Sequence, residues 1–361
     1  MKYKYSKVNS AVIILNYNNG RYLDKSISSV LKQSRNPEEI IVCDDCSTDN
    51  SKDILKKYKD EIKVIQQKEN KGPLRNCLDG IQECKSDIIF FLDADDIWLP
   101  NKIETILPLY EKDELTSIVS HKHAHIDKNG NLLSIYDQTH SNLDKIISKS
   151  QNFNERSNHF KNSILLRKGG YWLGSAYSFR KSVFDINLFK KLIKNSYASR
   201  FAYPDLTIAP FIIATEPKCK VSYIDIVLFY YRRHLSNSTP TSDNISDKIS
   251  SINRIQKTSL LTKHLLINGT NSKQIRHTVK VRYNQILLEY EYLVALYSRQ
   301  LIVSCILFLR LFWYFICEGK STRECIRFFG ISLLGPNFFL SISNKHYLNL
   351  ITNRKRQGEK P

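Results

Sequence analysis

Three acids crowd the end of one oily run. FFLDADDIWLPNKI, at 90–103, passes from aliphatic and aromatic residues straight into Asp93, Asp95 and Asp96. Carboxylates set this close raise one another's pKa unless a cation neutralises them. A hard divalent ion takes oxygen ligands and often shares them with substrate phosphates, so the cluster is a candidate metal site. A second acidic pair, Asp44 and Asp45, closes the run EIIVC at 39–43. A plainer role stays open: acids cap helices and end strands, and Asp44 equally suits a turn that orients the loop before the next helix. His121, His123 and His125 alternate, so in a strand they share one face. No acid or cysteine beside them completes a chelate, and Asn129-Gly130 marks a hairpin turn, so they read as a polar strand face. Cys43 and Cys46 have metal-like spacing but no second pair.

These residues need a scaffold, and the first half of the chain alternates strands with helices. AVIIL at 11–15, EIIVC at 39–43, IKVIQ at 62–66 and DIIFFL at 87–92 are short β-rich runs, while Leu23, Ile27, Val30 and Leu31 recur at helical spacing. Asp49 is the expected N-cap of a helix carrying Ile54, Leu55 and Tyr58, and Gly72-Pro73 opens another with Leu74, Leu78 and Ile81. The order is βαβαβαβ, which implies an α/β domain with a mainly parallel sheet covered on both faces. In such sheets ligands sit beyond the carboxyl ends of the strands, and both acid groups fall there.

The stretches VIILNYNNGRYLDKSISSVLKQ, IIVCDDCSTDNS and ENKGPLRNCLDGIQECKSDIIFFLDADDIWLPNKI resemble the successive signatures of the family-2 glycosyltransferases, in order and separation. The resemblance covers about the first 130 residues closely. Weaker echoes, GSAYSFRKSVF and FYYRRHLSNS, continue to near 240. It implies a GT-A, Rossmann-like nucleotide-diphospho-sugar transferase fold. The implied activity is metal-dependent transfer of a sugar from a nucleoside diphosphate, with inversion at the anomeric carbon and Mn2+ or Mg2+ as cofactor. By the same likeness Asn16 and Tyr17 lie where the nucleobase is laid, although the usual Thr or Ser before the tyrosine is Asn16 here. Asp45 matches the acid that accepts from the base N3–H, which favours a uridine donor, and Asp44 orients the loop or meets the ribose. Gly72 and Arg75 match a shortened glycine–arginine stretch, with Arg75 directed at the diphosphate or the acids. The resemblance puts Asp95 on the metal, Asp93 near ribose or metal, Ala94 beside the donor, and Asp96 as an extra acid toward the acceptor.

The family's general base falls in an acidic step downstream, and FAYPDLTIAPFIIA offers Asp205 for it; helix N-capping is the alternative, and Asp185 the runner-up. Trp172 and Tyr177 are candidate sugar-stacking surfaces or ordinary core. Arg232, Arg233 and His234 follow an aromatic strand and suit a loop that closes over the diphosphate.

Composition sets the remaining bounds. The chain has 361 residues, 42% hydrophobic, and 54 Lys+Arg against 35 Asp+Glu, a formal charge of +19 that asks for an anionic partner. The eight cysteines suit reduced thiols better than a disulfide framework. The start, MKYKYSKVNS, does not have the pattern of a secretory leader, so a cytoplasmic catalytic part is expected. No helix-turn-helix, RNA-recognition or zinc-finger pattern accompanies the charge, so nucleic acid is the weakest partner. A catalytic domain is expected over 1–238, with a nucleotide-binding half at 8–130 and an acceptor half at 131–238, and a helical region over 239–361. Within that region LIVSCILFLRLFWYFIC, at 301–317, falls short of a span of about 20 residues. It suits a helix lying in the face of an anionic membrane, the alternative being a buried hairpin core or homo-oligomer face. A peripheral place at the inner membrane would suit a glycan or lipid-linked acceptor in surface-polysaccharide synthesis. The competing function is a catalytically silent nucleotide-sugar-binding scaffold or sensor.

Overall fold

The computed structural model describes residues 7–134, 147–148, 150–167, 174–216, 218–234, 244–298 and 300–317. The four expected strands form: β1 (Ser10–Asn16), β2 (Glu39–Asp44), β3 (Lys63–Gln66) and β4 (Ile88–Asp93). Between them run α1 (Gly20–Leu31), α2 (Ser51–Lys57) and α3 (Pro73–Glu83). The N-cap of α2 is Asn50 rather than Asp49. Asp49 instead accepts from the Ser51 N–H at 3.0 Å and the Gly20 N–H at 2.8 Å, tying the starts of α1 and α2 together.

The sheet is mixed, with order β3-β2-β1-β4-β8-β6-β9-β5. Strands β1 to β4 pair in parallel, as the alternation requires. Beyond β4 the chain adds β5 (Ile97–Trp98), α4 (Lys102–Lys112), β6 (Thr116–Ile126) and β7 (Leu132–Ser134), which hairpins onto β6. It continues with α5 (Phe153–Leu165), β8 (Tyr177–Arg180), α6 (Ile186–Ile193), α7 (Ile208–Thr215) and β9 (Lys220–Arg232). β8 lies antiparallel between β4 and β6, so the second half of the domain joins the sheet beside the strand that carries Asp93.

Alternation along β1 and β4 feeds two cores. Val12, Ile14, Phe90 and Leu92 pack with Leu23, Ile27, Trp98, Ile103, Leu107 and Tyr110. On the opposite face Phe91 meets Tyr177 and Phe179, which leads through Phe184 to Phe189 and Phe211. Cys43, Cys46, Cys77, Cys84, Cys219 and Cys305 are free thiols.

Three helices follow: α8 (Ile245–Gly269), α9 (Lys273–Tyr297) and α10 (Leu301–Cys317). The chain divides into two compact units, Met1–Thr241 with Lys257–Lys280, and Ser242–Gln256 with Val281–Pro361. In the first unit Thr262 donates its hydroxyl to Leu206 O at 3.0 Å, and a Cβ on Gly269 would come within 2.6 Å of Phe211, so late α8 is packed directly on α7. In the second, Tyr292, Ala295 and Leu296 of α9 pack on Leu307, Phe308 and Leu311 of α10. The other side of α10 leaves Ile302, Val303, Ile306, Leu309 and Phe312 exposed. Among the described residues no helix is long and apolar enough to cross a membrane.

Candidate active site

Register brings the acids to one rim. Asn16 stands opposite Asp44, and Leu15 opposite Asp93, so the carboxyl ends of β1, β2 and β4 finish side by side. Asp93 is partly buried, and its pKa is pushed up to about 8, first by burial and then by the charges of Asp95 and Asp205. Asp205, far along the chain, is thereby placed in the field of the β4 acids. It sits just before α7, whose N-cap is Thr207 rather than Asp205; Asp205 accepts from the N–H of its neighbour Leu206 at 3.0 Å.

The turn after β4 is held from behind by buried polar groups. Ser175 accepts from the Asp93 N–H at 3.0 Å and donates its hydroxyl to Asp96 Oδ2 at 2.6 Å. The other Asp96 oxygen accepts from the Arg232 N–H at 3.0 Å. Lys102, wholly buried, donates to Ser175 O at 2.6 Å and lies 3.9 Å over the Trp98 ring. Burial drives its pKa well down, with Asp96 opposing that. Asp96 is therefore corrected from an acceptor contact to a buried tie between β4, β8 and β9, at 1% exposure. Neither Lys102 nor Ser175 was expected at the site. Lys102 could have been noticed, because it falls in the apolar register of α4 with Ile103, Ile106, Leu107 and Tyr110.

From β9, Arg232 Nε donates to Asp95 O at 2.8 Å, and its guanidinium lies 4.7 Å over the ring of Tyr22. His234 Nε2 meets Asp95 Oδ2 at 2.9 Å, and its ring is 5.0 Å from Tyr22. The side chain of Arg233 is exposed, while its N–H donates to Ile126 O at 2.8 Å. Arg232 and His234 thus contact Asp95 and Asp96 directly.

The nucleotide side needs corrections. Asn16 is buried and donates to Asp44 Oδ1 at 2.7 Å and to Ser51 Oγ at 3.0 Å, so its amide serves the loop rather than a base. Asp44 is wholly buried and accepts from the Ser47 hydroxyl at 2.5 Å, which is the loop-orienting role. Ala94 is also wholly buried, and its N–H is used by Leu15 O at 3.0 Å. Arg75 donates to Ser199 Oγ at 2.9 Å and Ser196 O at 3.5 Å. Asp45 accepts from the N–H groups of Lys71 at 2.7 Å and Gly72 at 2.9 Å. Burial raises its pKa and these two amides oppose the rise. Gly72 has φ 87°, and a Cβ there would lie 1.7 Å from Arg200 O, so only glycine fits. Tyr17 stands 48% exposed on the rim, open to a planar ligand.

Tyr177 is 1% exposed with its ring 5.3 Å from Phe91, so it is core rather than a stacking surface. Trp172 lies outside the described residues. The three histidines are corrected as well: His121, His123 and His125 are all buried, packed along Phe229 and Tyr231 of β9. Among the described residues no three His, Cys, Asp or Glu side chains converge as a metal cage. Asp93 and Asp95 instead make a two-carboxylate set, crowded enough that burial and the charge of Asp95 raise the pKa of Asp93. That suits an oxygen-seeking divalent ion whose remaining ligands come from substrate phosphates.

A mixed sheet with acids at the carboxyl ends of its parallel strands is the GT-A-like α/β fold. Residues 11–179 match the family described as Glycosyl transferase family 2. An uncharacterized glycosyltransferase of Nostoc sp. is 30% identical over 183 residues, 48% of this chain and 52% of that protein. The poly(ribitol-phosphate) β-N-acetylglucosaminyltransferase TarP of Staphylococcus aureus is 27% identical over 297 residues, 78% of this chain and 84% of its own length. The crystal structure of S. aureus TarS 1-349 in complex with UDP-GlcNAc aligns at 16% identity and a TM-score of 0.45, over 80% of this chain and 81% of that one. The chain spans about half the length of the first of these relatives.

Proposed function

We propose that this chain moves a sugar from a nucleoside diphosphate donor, a UDP-sugar, to a hydroxyl of a glycan or lipid-linked saccharide used in surface-polysaccharide synthesis, with inversion. One observation carries the reading: the charges of Asp205 and Asp95 both act on Asp93, although Asp205 comes from a distant part of the chain. A lone acid cluster would suit binding alone. An acid added from the acceptor half supplies the base that a direct displacement requires.

In the proposed reaction Asp205 takes the proton of the acceptor hydroxyl. That oxygen forms its bond to the anomeric carbon as the bond from that carbon to the diphosphate oxygen breaks, and the nucleoside diphosphate leaves with the electron pair. A divalent ion, Mn2+ or Mg2+, held by Asp93 and Asp95 would neutralise the charge growing on the departing diphosphate. His234, bonded to Asp95, and the tie through Asp96 and Ser175 keep these carboxylates in place. Asp45 and Tyr17 flank the place expected for uracil. Surface-glycan acceptors find support in TarP, a relative that matches 78% of this chain and whose name specifies a polymer acceptor.

The test is a panel of nucleoside diphosphate sugars, with and without Mn2+, scored both for binding and for transfer. Transfer from a UDP-sugar that disappears in Asp205→Asn and Asp95→Ala is expected. Binding without transfer by any donor would favour the silent scaffold. We also place the protein at an anionic membrane surface: α10 exposes a row of apolar side chains with Arg310 among them, on a chain of formal charge +19.

A further inference from the structure

We infer that the turn Tyr197–Arg200, together with Lys257 of α8, is the docking point for an acceptor saccharide that carries negative charge. The inference rests on the transferase reading above and adds the acceptor's chemical class. Tyr197 is 71% exposed, which is unusual for a ring held so firmly. Its centroid is 5.1 Å from that of Phe201, and the Lys257 ammonium stands 4.4 Å over Phe201 and 5.9 Å from Tyr197. The turn beneath is fixed: Ser199 is buried, donates to Ser196 O at 2.6 Å and accepts from Arg75 Nε at 2.9 Å. Such a plate is organised before any ligand arrives, so little ordering entropy opposes binding.

Its location joins the two halves of the site. Arg200 O lies against Gly72, whose N–H holds Asp45 on the nucleotide side. Asp205 follows Arg200 in the same connection, and its charge reaches Asp93. The Tyr197 turn therefore shares its connection with the proposed base and touches the loop that holds Asp45. The surroundings are positive. Residues 186–204 contain Lys190, Lys191, Lys194 and Arg200 and no acid. Lys191, Lys194, Arg200 and Lys257 are exposed. A ring face offers apolar contact to sugar C–H groups, and the cations add recognition of phosphate or carboxylate. A neutral glycan would use the ring and leave the charge idle.

The experiment uses the full chain and three probes of matched length: a glycerol phosphate polymer, an oligogalacturonate and dextran. Binding to at least one polyanion, weakening as salt rises from 50 to 300 mM, with roughly tenfold preference over dextran, is expected. The polyanion preferred says whether phosphate or carboxylate is the recognised group. Tyr197→Ala and Lys257→Gln should each weaken that binding about tenfold, Tyr197→Phe should retain it, and UDP binding should stay within about twofold in all three. Equal binding of dextran, no polymer binding, or variants that bind like the parent would overturn the subsite. Polymer binding that persists in a protein with neither nucleotide binding nor transfer would instead overturn the transferase reading.

Discussion

At the residue scale the site depends on a division of labour among acids that look alike in sequence. Asp95 and Asp205 both act by charge on Asp93, whereas Asp44 and Asp96 are buried and spend their oxygens on neighbouring donors. The two groups should respond differently to substitution. Asp205→Asn keeps the shape and removes the proposed base; transfer assays should show kcat lower by about 10²-fold or more, with UDP affinity measured calorimetrically unchanged. Asp96→Ala strands the Arg232 N–H, the Ser175 hydroxyl and the buried Lys102 ammonium. Urea unfolding should register a loss of about 3 kcal/mol or more, whatever happens to activity.

At the element scale two junctions carry the architecture. The first is the start of α3, where Gly72 lies against the 197–200 turn. Gly72→Ala demands a positive φ from an L-residue and drives its Cβ into a carbonyl, and should cost more than about 2 kcal/mol in thermal or urea unfolding. UDP binding should weaken with it, because Asp45 loses the amide it holds. The second is β6, whose polar alternation resembles a solvated face. β8 and β9 flank it on both sides, and Phe229 closes over His121 and His123. Burial, followed by the Lys102 ammonium, holds the His121 pKa well below 6.5. Unfolded, His121 takes a proton as pH falls through about 6.5; folded, it does not. Its contribution is therefore fully present above that pH and is lost below it, by up to about 1.4 kcal/mol per further pH unit. Denaturation midpoints measured from pH 7.5 to 5.5 should fall, and His121→Phe should flatten that slope.

At the scale of the whole molecule, the exposed row on α10 bears on where the protein resides. Seventeen residues in this helix are too few to span a bilayer and enough to lie along one. Sedimentation with phosphatidylglycerol vesicles should retain the protein, and neutral phosphatidylcholine vesicles should not. Leu309→Glu, which places an acid on the exposed face, should release it while leaving UDP binding intact. Retention by neutral vesicles alone, or a concentration-dependent dimer with no vesicle binding, would remove the membrane assignment.

The alternating strands and helices from β1 to β4 could be read directly, because their hydrophobic periods are local and each run lies within a few residues of its turn. The family signatures could be read for the same reason: Asp45, Gly72, Asp93 and Asp95 fall on short motifs whose order survives without knowledge of the fold. What the chain could not announce is pairing between distant segments. Asn16 and Ala94 look like donor contacts until register buries them, and Arg75 looks like a phosphate ligand until Ser196 and Ser199 occupy it. Lys102, Ser175 and Asp96 become one unit only because β8 returns antiparallel to β4. Likewise α8 contributes Lys257 to the catalytic unit, although its sequence follows a polar stretch that reads as a boundary. Local pattern determines which elements form; burial, partner choice and electric field are set by contacts far apart in sequence, and those only tertiary packing decides.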